Sequence, residues 1–348
     1  MKRFFTQFAS VLLTLVSYAF ASVPHGALMA TTITTAALNA SYQSVYADGS
    51  KGLADLHAQV FFGASFDQLF TPVRTNLSVY RQSLSTSTSV AQAGQISFTP
   101  NGTYSFKPAE TPLYWLKADY KGSSYKLRDT WLGSLHEKGV SEADQTFSKY
   151  IIDTYLVPQF VEDKELSGCY LGVTGTITEG TAGPVGEMMN GFRKTINTKI
   201  TATTVSPIST GTIPTDQEDL VTYVEEFVKG INKRDWRKPM TLAMNENLAQ
   251  MFREGMEQKY NSQYRNTEDL VRLKHFPNIV VSGQIAMGDS TKMFTSPASN
   301  LVHPYSVYEG DLVKFEVEDR SLKAWLDQDT GCGTIDDSRL YPNSEDLV

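Results

Sequence analysis

The sequence predicts an α+β fold, on three observations. Apolar residues recur at helical spacing in three separated stretches, around residues 147–161, 220–231 and 248–256. Short runs with period-two alternation, bounded by turn residues, lie apart from those helices, near residues 96–106, 279–287 and 312–325. Two of these runs, at 96–106 and 312–325, hold turn residues between alternating segments and read as hairpins.

In chain order, Lys2 and Arg3 precede the apolar run Val11–Val16, and Ala19-Phe20-Ala21 offers a small-x-small cleavage site before Ser22. Residues 1–28 thus resemble a secretory signal peptide. Two other readings stand beside it: one face of an amphipathic helix (Phe4, Phe5, Phe8, Leu12, Leu15, Val16, Ala19), and a second start at Met29. The run is too short for a membrane anchor. Residues 30–50 are small and polar and read as a mobile arm. Leu53, Leu56, Val60 and Phe61 carry a helical stripe with His57 on its surface.

From Pro72 to Gly122 the chain turns to Ser, Thr, Gly and Pro with alternating aromatics. Ile96 and Phe98, the turn Pro100-Asn101-Gly102, then Tyr104 and Phe106 read as a hairpin. A ribbon of two strands needs something to lie against. Ser141 and Asp144 have capping-box spacing, so a helix is expected from Ser141, its apolar face carrying Phe147, Ile151, Tyr155 and Val161. Pro158 predicts a kink, or a helix end near Val157.

The glycines between Gly168 and Gly186 suit turning backbone, because no Gly-Lys-Ser/Thr follows that would make a phosphate loop. A helix is expected over 187–205. Asp216 or Thr215 caps another, whose stripe is Leu220, Tyr223, Val224, Phe227, Val228 and Ile231. Pro239–Met244 reads as a strand and Asn245 caps the helix Glu246–Lys259. Strands follow at Ile279–Val281, Gln284–Met287, Leu312–Val317 and Leu322–Trp325, the last two joined by a turn at residues 318–321. The tail from Thr330 reads as polar and loosely ordered.

Bulk properties narrow the function. The 348 residues suffice for about two domains, and 41% hydrophobic with 20% charged residues is a globular composition. A net charge of -7 has the wrong sign for gripping nucleic acid through its phosphates. Cys169 and Cys332 have no metal-ligand spacing and read as free, buried thiols.

No chemistry is nominated. His25, His57, His136, His275 and His303 are dispersed, and His136-Glu137 fails as a zinc motif because Val140 stands where the second histidine belongs. Glu162, Asp163 and Glu165 read as a solvated helix end. Gly331-Cys332-Gly333 lacks the strand-to-helix setting of a nucleotide fingerprint, and the four tryptophans read as packing residues. The combined absence moves weight toward a structural or binding role, and the site expectation is no catalytic, cofactor-binding or metal-binding residue and no cofactor.

The order of arm, hairpin, long helix, mixed domain and returning strands resembles the major capsid proteins of tailed bacteriophages with the Hong Kong 97-type capsid fold. LRDTWLGSLHEKG with FSKYIIDTYLVPQFVEDKELSGCYLG looks like the end of that family's extended loop and its spine helix. EGTAGPVGEMMNGFRKTIN looks like the entry to its axial domain, and KPMTLAMNENLAQMF and FPNIVVSGQIAMGDSTKMFTSPASNLV resemble later elements there. The likeness spans Pro72 to Trp325.

It implies an N-terminal arm over 1–71, with 1–28 signal-like, cleaved or a misassigned start. An extended loop over 72–130 would lie across a neighbouring subunit. A peripheral domain would comprise 131–169 with the spine helix and 301–327, an axial domain 170–300, and a C-terminal tail 328–348. The implied function is self-assembly, as pentamers and hexamers, into an icosahedral shell around double-stranded DNA. That shell would form in the host cytoplasm and be found in the virion. Scaffold, portal and decoration proteins are the implied partners, DNA is near without sequence-specific binding, and no membrane is involved. The competing reading, from the N-terminus, is an exported surface or periplasmic β-containing binding protein.

Overall fold

The computed structural model describes residues 33–87, 90–142, 144–260, 271–307 and 311–347. The signal-like segment 1–28 lies outside the described residues. None of the described helices is long and apolar enough to cross a membrane.

Helix α1 (Thr35–Tyr46) stands where the sequence suggested a mobile arm. Thr34 caps it by accepting from the Ala37 amide at 3.2 Å, and Leu38, Tyr42 and Tyr46, spaced four apart, form its buried stripe. Helix α2 (Lys51–Phe62) follows, capped by Ser50, with Leu56, Val60 and Phe61 buried. A 3-10 turn (Phe66–Leu69) then leads to strand β1 (Thr71–Arg74).

The expected hairpin exists with different strands. β2 (Val79–Ser87) pairs antiparallel with β3 (Tyr104–Pro112), in register from Val79 opposite Pro112 to Ser87 opposite Tyr104. Ile96 and Phe98, expected in a strand, belong to the tip between them. Two alternating residues are too little to set a register, whereas the Ser/Thr-rich run reaches a nine-residue partner.

β4 (Tyr114–Ser123) returns to the body, followed by helix α3 (Ser124–Lys138), which ends on Gly139 in the left-handed conformation. The next helix begins at Phe147, not Ser141. Thr146 is its cap, accepting from the Lys149 amide at 3.4 Å, while the Ser141–Asp144 bonds close a separate turn. This helix α4 runs unbroken over residues 147–168, so Pro158 does not end it. The five residues Ile152–Leu156 are wound as a π turn in which the Val157 amide reaches back to the Ile152 carbonyl, immediately before the proline that has no amide to give. A second π turn spans Lys164–Gly168. The wider turns rotate the buried face, so Tyr155 and Val161 are only partly covered and Lys164 points inward.

Two sheets organise the body. In the first, the half-buried β11 (Ser321–Thr330) is central. β4 lies along one edge, and β10 (Val313–Glu318) followed by β9 (Leu301–Ser306) lies along the other. β1 runs parallel to β9, and β12 (Gly333–Thr334) antiparallel to it. The turn joining β10 to β11 falls at 318–321 as the sequence indicated, with Asp319 at φ 53. α1 packs here through Tyr42 against Phe315, ring centroids 6.2 Å apart.

In the second sheet the order is β13 (Tyr341–Pro342), β8 (Phe294–Pro297), β5 (Met240–Asn245), β7 (Phe276–Gln284) and β6 (Arg272–Leu273). β7 replaces two shorter expected strands, and residues 285–287 form a 3-10 turn instead. Helix α5 (Phe192–Thr201) is shorter than expected over 187–205. Helix α6 (Gln217–Lys229) is capped by Asp216, and α7 (Glu246–Tyr260) by Asn245, whose Oδ1 accepts from the Leu248 amide at 2.7 Å. Leu220, Val224, Phe227, Phe252, Met256, Leu242 and Ile279 close a core between these helices and the sheet.

The α6–α7 crossing is set by Gly255, where an added Cβ would stand 2.1 Å from the Gln217 carbonyl oxygen. Gly255→Ala is therefore expected to lower unfolding stability by about 1–3 kcal/mol, measured by urea denaturation. The tail is not loose. Cys332, Leu340 and Tyr341 are buried and β13 extends a sheet, while Leu347 is exposed.

Candidate functional site

Two features stand out, one at the surface and one buried. The first is the arm made by β2, β3 and their tip. Nine paired residues at about 3.3 Å each give a ribbon roughly 30 Å long. Its only ion pair, among the described residues, is Arg81 with Glu110, directly opposed at 2.9 Å and largely exposed, so it holds register and adds little stability. Gln92 and Asn101 brace the tip, the latter donating to the Ala91 carbonyl at 3.3 Å.

What the arm lacks is cover. Ile96 is 107% exposed and Phe98 94%, and Leu77, Val90 and Phe106 are exposed as well. Such side chains forgo about 1.5–3 kcal/mol each that burial would supply. At its root the arm is gripped closely. A Cβ on Gly331 would lie 2.2 Å from the Pro112 carbonyl oxygen, and one on Gly333 2.1 Å from the Thr111 hydroxyl. The Gly-Cys-Gly triplet thus lets the tail pass against the arm's base.

A second projection lies at residues 173–186. The Val173 amide donates to the Gly186 carbonyl at 2.9 Å, closing the neck of a loop that is exposed throughout and carries Ile177 outward. This matches the turning backbone expected of the glycine-rich segment.

The buried feature is a polar cluster. Asp67, in the 3-10 turn after α2, receives Lys164 Nζ at 2.6 Å on Oδ2, and Lys164 also donates to the Phe61 carbonyl at 2.9 Å. Cys169 Sγ donates to Asp67 Oδ1 at 3.5 Å, and His303 Nδ1 lies 3.7 Å from the same oxygen while Nε2 meets the Thr330 hydroxyl. All of these side chains are shut off from solvent.

Burial works against the Lys164 ammonium, but the Asp67 carboxylate outweighs it and its pKa is raised. Burial pushes both thiols, Cys169 and Cys332, upward. It lowers His303 to about 4, against the pull of Asp67. The cluster holds its own counter-charge and has no opening, so it is suited to fastening elements together and not to turning over a substrate.

His303 is neutral in the folded state and its folded pKa lies below its unfolded one. The stability tied to its burial is complete above about pH 6.5 and is lost as pH falls toward 4. That loss is expected to reach about 3 kcal/mol. Denaturant midpoints measured between pH 7 and 4 should show it in the wild type, with a flatter profile for His303→Gln.

The acids considered from sequence do not converge. Asp163 accepts from Gln159 at 2.9 Å, one turn earlier on the same helix, Glu165 accepts from Ser65, and Glu162 is exposed. His57 is half-buried on α2, and burial lowers its pKa. Sequence reasoning passed over Asp67 and Lys164, which meet across about a hundred residues without any local motif.

No protein-family model matches this sequence, and neither does any curated protein. Solved structures do. A chain of the satellite phage P4 procapsid including size determination (Sid) protein is similar over 97% of this chain and 99% of its own, with a TM-score of 0.55 at 10% identity. A chain of the capsid of Myoviridae phage XM1 follows with a TM-score of 0.46 at 12% identity, covering 77% of this chain and 86% of its own. A chain of the virus-like particle from Pyrococcus furiosus has a TM-score of 0.43 at 11% identity, covering 84% and 96%. At such identities the likeness speaks to architecture, and the near-complete mutual coverage with the procapsid chain carries it. Sheets, long helix and projecting ribbon together make this a Hong Kong 97-type capsid fold.

Proposed function

We propose that this protein is the major capsid protein of a tailed phage, and that it assembles through pentamers and hexamers into an icosahedral shell around double-stranded DNA. The observation that carries the reading is the arm: a ribbon roughly 30 Å long bearing bare Ile96 and Phe98, which its own chain does not cover. A self-contained binding protein has no use for such a limb, whereas a subunit that must close rings with its neighbours does. The exported-protein reading has no comparable support in the fold.

In this reading residues 72–130 include the loop that crosses a neighbour. Residues 131–169 with 301–327 form the peripheral domain, and 170–300 the axial domain. Subunits assemble in the host cytoplasm, with scaffold, portal and decoration proteins as partners. DNA is enclosed without sequence-specific contact, consistent with the net charge of -7. The protein catalyses no reaction.

The test is expression with and without residues 1–28, with and without a co-expressed scaffold, followed by light scattering and negative-stain microscopy. Closed shells of uniform diameter are the expected result. Monomers or dimers under every condition, or an exported form beginning at Ser22, would overturn the reading.

A further inference from the structure

The loop of residues 288–293, helix α5 and the last residues of the chain meet at a cavity of about 480 Å³ lined by Leu171, Arg193, Asp289, Ser290, Thr291 and Asp346. Asp346 fills part of it. Arg193 Nη1 donates to both its carboxylate oxygens at 3.4 Å, Ser290 Oγ donates to Oδ2, and Asn197 Nδ2 donates to its backbone carbonyl at 3.0 Å. These ion-pair contacts are long for an arginine on a carboxylate. Asp346 also sits at φ 50, in the left-handed region that disfavours a residue with a Cβ.

Lys292, in the same loop, is fully buried, with an ammonium that makes no hydrogen bond. A buried ammonium without an acceptor is costly, and the charges around it are Asp346, Arg193 and Glu345. Burial lowers its pKa to about 8. The two oxygens of Asp346 are engaged by Arg193 and Ser290, and neither meets Lys292 within hydrogen-bond distance.

We propose that this cavity is a binding site for a phosphate-class oxyanion, that Asp346 occupies it in cis, and that the anion displaces Asp346 on binding. A tetrahedral oxyanion has more oxygens than a carboxylate, enough to serve the guanidinium, the Ser290 hydroxyl and the Lys292 ammonium together. The walls do not depend on Asp346. Asn343 exchanges backbone and side-chain bonds with Met293 at 2.9 and 3.0 Å and donates to the Thr291 carbonyl at 3.0 Å. Asn245 donates to the Ser290 carbonyl at 2.8 Å. Residues 344–347 can therefore leave while the loop stays in place. Asp289, exposed at the mouth, opposes an anion there, as does Glu345 until it leaves with Asp346.

The test is calorimetric titration of inorganic phosphate into the full chain and into Asp346→Ala, with chloride at matched ionic strength as reference. Asp346→Ala should bind phosphate about tenfold tighter than the wild type. Asp346→Ala combined with Lys292→Met should lose that binding. Acylation of Lys292 by an amine reagent should rise in Asp346→Ala and fall again with phosphate present. A parallel titration with a short oligonucleotide separates the sources: equal binding identifies a nucleic-acid phosphate as ligand, and binding of inorganic phosphate alone identifies the free anion. Asp346→Asn serves if the alanine variant does not fold. A folded variant that neither binds phosphate nor exposes Lys292 to acylation would overturn the proposal.

Discussion

Lys164→Met is expected to lower the unfolding free energy of the isolated chain by about 3–5 kcal/mol, because it strands the Asp67 carboxylate in an interior shut off from solvent, with the neutral His303 as its remaining basic neighbour. Little is lost from packing, since methionine fills nearly the volume of the lysine stem. The damage is electrostatic, and removing the second charge should repair it: Lys164→Met with Asp67→Leu is expected to recover most of the loss. Urea denaturation of both single variants and the double variant measures the coupling directly. A single variant within about 1 kcal/mol of wild type would show that the ion pair is not holding the α2 turn to helix α4.

Ile96→Asp with Phe98→Asp is expected to abolish particle formation while leaving the subunit folded. Both side chains are bare in the isolated chain, so charge there costs the fold almost nothing. On a neighbour's surface each would forfeit the roughly 1.5–3 kcal/mol of apolar burial and bury a carboxylate as well. The proposed shell would repeat the contact at every subunit, so that a loss this size per arm suffices to stop assembly. Circular dichroism should match the wild type while light scattering reports only small species. Normal particles from this variant would remove the arm tip from the assembly contacts.

Much of the body is legible in the sequence wherever one element carries its own period and its own cap. Asp216 ahead of Leu220, Val224 and Phe227, and Asn245 ahead of Leu248 and Phe252, announce α6 and α7 without tertiary information. The β10–β11 hairpin is equally local. What escapes is settled at a distance. α1 hides among Ala, Ser and Thr, and only packing on Phe315 gives its tyrosine stripe meaning. β2 finds β3 across the tip, where no short turn sets the register.

The helix start moved to Phe147 because a capping-box pattern closed a free-standing turn, and Pro158 was absorbed by a π turn that no residue pattern advertises. Lys164 shows the limit most clearly. In sequence it belongs to an acidic, solvated helix end; in the fold the second π turn carries it inward to a partner about a hundred residues away.

The glycine collar at the arm's base has a mechanical consequence. Gly331 and Gly333 lie against Pro112 and Thr111, where the ribbon leaves the body. A limb roughly 30 Å long pivoting at that point is a lever: a tilt of about 10° at the collar sweeps the tip through about 5 Å, close to one helical turn. In the proposed shell, a small displacement of the tail at the collar would become a shift large enough to change which residues of a neighbour the tip meets.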